Sequence, residues 1–113
     1  MINLDMIHLN DFSFGGKDEP DQRLSITSTS DCGSIQQGIW ESGPGEIELK
    51  FSWYESIFVL EGSAHLENLK TNQSFVLNQG DLVDFQVGSH WRWTIPFHFK
   101  KIFNIVELKE TRA

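Results

Sequence analysis

The sequence predicts an all-β fold, an antiparallel barrel or face-to-face sandwich. Three observations carry this expectation. Short runs rich in Val, Ile, Phe and Trp recur from Ser34 onward. Turn signals separate them, at Ser42-Gly43-Pro44-Gly45, Glu61-Gly62, Lys70-Thr71-Asn72, Asn78-Gln79-Gly80-Asp81, Gly88 and Pro96. That rhythm of short strands and turns marks β architecture. No segment carries an uninterrupted helical stripe.

Taken in order, residues 1–9 read as an N-terminal strand with Ile2, Leu4 and Met6 on one face. Residues 10–34 are rich in Asp, Ser, Thr, Gly and Gln and read as a long loop, with one short strand around Leu24-Ser25-Ile26. The chain of 113 residues is long enough for one core. It is therefore expected to form a single domain over 1–113, with a strand and loop over 1–33 and the barrel core over 34–107.

Within the core, period-two alternation sorts side chains by face. Ile47, Leu49, Phe51 and Trp53 share one parity, while Glu46, Glu48, Lys50 and Ser52 share a solvated one. Glu55 opens the next run with Ile57 and Val59 on its face. Phe58 and Leu60 lie on the other, which predicts a strand buried on both sides. The last long run places Trp91, Trp93, Ile95, Phe97, Phe99, Lys101, Phe103 and Ile105 inward, provided no bulge intervenes near Pro96. Lys101 breaks the apolar pattern. Two placements are open for it: a bulge or snorkelling that turns it outward, or a cation inside a pocket. Glu55 has two as well, a turn residue at the barrel mouth or a pocket carboxylate.

Composition excludes several classes of function. Nine Lys and Arg against 16 Asp and Glu give a formal net charge of −7. This argues against nucleic-acid backbones and anionic membrane surfaces as partners. Cys32 is the only cysteine, so no intrachain disulfide can form, and its polar neighbours offer no activating base. Met1–Asn10 has neither a basic region nor a long apolar run, and no window is long enough to span a bilayer. A cytoplasmic setting is expected. His8, His65, His90 and His98 are scattered, with no pairing at metal-ligand spacing. Asp81 and Asp84 read as a turn residue and a solvated strand residue. Glu41 has two readings, the barrel mouth or an exposed surface. No nucleophile elbow, phosphate loop or dinucleotide fingerprint is present.

The motifs between Glu55 and Trp93 resemble the two-motif core of the cupins, small antiparallel β-barrels also described as double-stranded β-helices or jelly rolls. Glu55 and Gly62 match the Glu and Gly of the first motif, and Gly80-Asp81 with Gly88 match the second. In metal-dependent cupins the first motif also carries His-x-His. Those positions fall here on Leu49 and Phe51, or on Glu48 and Lys50 with the longer spacing. Trp91 stands at the His position of the second motif. A transition metal wants three or four N, O or S ligands, so no metal or other cofactor is expected.

The wider pattern is similar to the branch containing ureidoglycine aminohydrolase and the ethanolamine-utilisation cupin. It comprises Gly38-Ile39-Trp40-Glu41, Pro44-Gly45, Glu55, Leu60-Glu61-Gly62, Gly80-Asp81, Gly88 with Trp93, and Lys100-Lys101. The resemblance implies a pocket in which Glu55 and Lys101 are the candidate catalytic or orienting pair. Trp40, Leu49, Phe51, Trp91 and Trp93 are the candidate ligand-binding residues. The expected function is binding of a small polar or anionic metabolite without a metal. The alternative is an aminohydrolase-like hydrolase, lyase or isomerase using Glu55 and Lys101. A homodimer is expected, since small cupins are commonly dimeric and sheet edges need cover.

Overall fold

The structure, a computed structural model, describes residues 7–8, 21–30 and 35–107. Among these residues every regular element is a strand: β1 (Ile7–His8), β2 (Gln22–Thr29), β3 (Ile35–Ser42), β4 (Gly45–Lys50), β5 (Tyr54–Asn68), β6 (Ser74–Asn78), β7 (Leu82–Phe85), β8 (His90–Ile95) and β9 (Phe99–Val106). All pairings are antiparallel, in the order β1-β2-β3-β9-β5-β8-β4, with β6 and β7 also pairing on β5.

The 15-residue β5 is the spine. Its first half pairs with β9 and β7. Its second half, from Ser63, pairs with β6 and β8. The switch falls at a register shift between Val59 and Glu61 followed by Gly62, whose φ is 80°. A bulge plus a left-handed glycine bends a strand from one sheet into the other. A Cβ on Gly62 would collide with the His98 carbonyl, so the bend also needs the missing side chain. The two half-sheets meet through aromatic rings. Trp93 of β8 lies 6.2 Å from Trp40 of β3 and 5.6 Å from Phe99 of β9, both edge-on. Ile47, Phe51, Ile57, Val59, Ala64, Leu66, Leu77, Phe85, Ile95 and Phe103 complete the core.

Several expectations are corrected. The short strand at Leu24–Ile26 is an eight-residue strand, β2, paired along β3 with a register shift between Ile26 and Ser28. The last run is two strands rather than one: β8 ends at Ile95, β9 begins at Phe99, and they belong to different half-sheets. Phe97 lies in the intervening turn and is 83% exposed. Phe97→Ser is therefore expected to change stability by no more than about 0.5 kcal/mol in urea unfolding. Phe58 is 38% exposed, so β5 is not buried on both sides there. The proposed face of Ile2, Leu4 and Met6 lies outside the described residues, as does Cys32.

Candidate functional site

Between β2, β3, β9 and the start of β5 lies a cavity of about 160 Å³. Alternation along β3 turns Gln36, Trp40 and Ser42 to the interior, and along β9 it turns Phe99, Lys101, Phe103 and Ile105 the same way. Glu55 sits opposite Ile105 and Lys101 opposite Val59, so both project from the inner face of neighbouring strands. Their side chains converge. The Lys101 ammonium donates to Glu55 Oε2 at 2.5 Å, with both side chains almost wholly buried. The Trp53 indole N–H donates to the other carboxylate oxygen at 2.9 Å. Both oxygens of Glu55 thus have a partner.

The ammonium is also held between aromatic faces, 5.1 Å from the Trp40 ring centre and 4.9 Å from that of Trp93. A cation over an indole face gains roughly 0.5–2 kcal/mol, more when desolvated. Trp40 is fixed in turn by its N–H, which donates to Gln22 Oε1 at 3.0 Å, and Gln22 is itself buried. The remaining wall is mostly apolar, from Leu24, Leu49, Phe103 and Ile105. The indole nitrogens of Trp91 and Trp93 are buried and have no hydrogen-bond partner among the described residues.

Five of the seven sequence-derived candidates line this cavity: Trp40, Leu49, Glu55, Trp93 and Lys101. Two are placed elsewhere. Phe51 follows the end of β4 and is pinned to the loop before β8, its N–H donating to the Ser89 carbonyl and its carbonyl accepting from Gly88 N–H. That turns its ring flat onto Phe85, 4.8 Å away. Trp91 shares the parity of Trp93 but sits nearer the start of β8, where Phe75 and Phe85 take up its ring at 5.4 and 5.6 Å. Seven wall residues went unselected, among them Trp53, Gln22 and Gln36. The parity of Trp53 with Leu49 was a usable signal. Gln22 and Gln36 gave none, because a polar residue in a polar segment does not announce burial.

The donor set does not fit the metal of the metal-dependent cupins. At the matched positions, Leu49, Phe51 and Trp91 supply no ligand atom. Glu48 and Lys50 share the face opposite Leu49, and Glu48 pairs with His90 at 3.7 Å and Arg92 at 3.7 Å. Glu55 is already neutralised by Lys101. A divalent ion beside that buried ammonium would meet like charge. A separate group, Glu41, Glu61 and His98, brings ligand atoms within 4.8 Å of one another on the outer surface. Its carboxylates already face Arg23 and Lys100, each at 3.8 Å, and His98 lies 3.2 Å from Glu41. Glu41 therefore points away from the cavity that Trp40 lines.

Solved structures share this architecture. The Clostridium difficile EutQ protein superposes with a TM-score of 0.68 at 13% identity, covering 78% of this chain and 69% of that one. A Salmonella typhimurium protein named as ethanolamine utilization protein Q gives 0.71 at 14% identity, covering 96% and 99%. A Pseudomonas syringae protein of unknown function gives 0.75 at 20% identity, covering 92% of this chain and 44% of that one. No curated protein matches the sequence significantly. At these identities the likeness speaks for the fold. The sequence itself matches the EutQ-like cupin domain over residues 29–103, from the end of β2 well into β9. The chain belongs to the EutQ-like cupin domain family.

Proposed function

We propose that this cupin binds a small polar or anionic molecule in its aromatic cavity without a metal, Trp40, Leu49 and Trp93 giving contact area and Glu55 and Lys101 giving orientation. The observation that supports this most is the buried Glu55–Lys101 pair in the wall of a cavity that is otherwise mostly apolar. Burying two charges costs more than filling the same space with apolar side chains. An apolar enclosure with a few convergent polar groups is the usual composition of a small-molecule site. Tighter binding to the native than to the unfolded chain raises the melting temperature. A thermal-shift screen of small polar metabolites, run on protein stripped by chelator, is expected to give stabilising hits that the double variant Glu55→Leu with Lys101→Met loses. Hits that appear only after a divalent metal is added back would contradict the proposal.

The same geometry favours a second reading, a hydrolase, lyase or isomerase. Lys101 has N–H groups beyond the one given to Glu55 and could stabilise an oxyanion, with Glu55 moving a proton. Turnover of a screening hit that is abolished in Glu55→Gln, with binding retained, would establish it.

Two further parts of the proposal concern setting. A homodimer is supported by an outer cross-strand row, Ile39–Ile102–Phe58–Leu82, in which Leu82 is 74% exposed. Light scattering at micromolar concentration should exceed the monomer mass of 13.0 kDa, and a value at that mass would reject it. A cytoplasmic location is supported by the single cysteine; among the described residues no helix is long and apolar enough to cross a membrane.

A further inference from the structure

The charge of the ligand can be argued from the pair that would meet it. Glu55 and Lys101 neutralise each other at 2.5 Å and are both buried. A carboxylate seated on the ammonium would lie beside the Glu55 carboxylate, in a wall that supplies little other polarity. An ammonium seated on Glu55 would lie beside Lys101. Either adds an uncompensated charge beside a buried pair, where like charges repel more strongly than in water.

The donors point to an oxygen. A lysine ammonium has three N–H groups. One goes to Glu55, and the others have no oxygen or nitrogen acceptor among the described residues. The ammonium lies 5.1 and 4.9 Å from the Trp40 and Trp93 ring centres, and with those two residues it lines the cavity. A ligand oxygen entering there would accept from a donor that is already charged and fixed in place.

The cavity is partly open to solvent, so its volume sets the size of the buried part of a ligand. At about 160 Å³ it is smaller than most metabolite pockets. It is close to the roughly 150 Å³ apolar cavity that admits benzene in an engineered protein.

We propose that the occupant is a neutral molecule whose buried part has about six to nine non-hydrogen atoms, mostly apolar, with a hydroxyl or carbonyl oxygen that accepts from Lys101. This rests on the binding reading above and narrows its polar or anionic ligand to a neutral one.

The test uses four compounds that share a ring and differ in charge: benzyl alcohol, benzoate, benzylammonium and toluene. Calorimetric titration of the full chain at neutral pH is expected to show benzyl alcohol binding at least about tenfold more tightly than benzoate and benzylammonium, the equivalent of about 1.4 kcal/mol. Benzyl alcohol should also exceed toluene, and the double variant Glu55→Leu with Lys101→Met, which removes the donor without leaving a buried charge, should remove that advantage. Leu24→Phe, which fills the cavity and leaves the pair in place, should weaken every compound. Benzoate or benzylammonium binding as tightly as the alcohol would overturn the neutral-ligand inference and leave the cavity reading intact. Binding by none of the four would overturn the inference too, and the binding reading then rests on the wider thermal-shift screen. Unchanged binding in Leu24→Phe would overturn the placement of the ligand in this cavity.

Discussion

Lys101→Met is expected to lower unfolding stability by about 3–5 kcal/mol, the cost of leaving one member of a buried ion pair without its partner. The variant keeps most of the side-chain volume, so the loss reports charge rather than packing. What remains is a carboxylate with only the Trp53 indole for company, inside a wall of Trp40, Trp93 and Leu49. Glu55→Leu should cost a similar amount, now through an unpaired ammonium, softened by the two indole faces that hold it. The double variant, Glu55→Leu with Lys101→Met, should recover most of the loss, since a buried pair exchanged for apolar side chains of similar size is often neutral or stabilising. Urea unfolding of the four proteins closes a double-mutant cycle with a large coupling energy. Additive single effects would show that the two groups do not interact.

Gly62→Ala should be comparably damaging, at roughly 4 kcal/mol, because two penalties combine there. The residue holds φ at 80°, a conformation costly for a side-chain-bearing residue. The new methyl would also meet the backbone carbonyl of His98, which cannot move without disturbing the turn between β8 and β9. Gly88→Ala is the control. Its φ is 87°, yet nothing lies within 4 Å of an added Cβ. It should cost only about 1 kcal/mol, for strain alone. Equal losses in the two variants would mean that the bend of β5 does not depend on close approach at Gly62.

The fold was legible because barrels announce themselves locally. Turn residues stand where the chain reverses, and alternation marks the faces between them. Alternation also found most of the cavity. Trp93 and Lys101 share a parity in sequence, and the parity survives the Pro96–His98 turn even though the strands on either side lie in different half-sheets. The resemblance to the cupins, rather than spacing, tipped Lys101 and Glu55 towards the interior. What parity cannot supply is the level along a strand. Phe51 and Trp91 face inward like Leu49 and Trp93, but Phe85 and Phe75 cover them at a different height. Nor can it supply a partner from a remote strand. Gln22 is buried because Trp40 lies diagonally across the β2–β3 pair and offers it an N–H. Phe58 misled for a related reason: an apolar side chain on a sheet face reads as buried whether or not a second layer lies on it.

The four tryptophans allow the central claim, a small-molecule cavity built around the Glu55–Lys101 pair, to be tested in one measurement. Each gives one indole N–H signal in a ¹⁵N-resolved NMR spectrum. Trp40, Trp53 and Trp93 line the cavity, and two of their N–H groups are tied to Gln22 and Glu55. Trp91 is packed between Phe75 and Phe85 outside the lining. Titration with benzyl alcohol should shift the Trp40, Trp53 and Trp93 signals together, along one saturating curve, and leave Trp91 in place. A saturating shift confined to Trp91, or no shift at any of the four during titration with every stabilising compound found by the screen, would contradict the account.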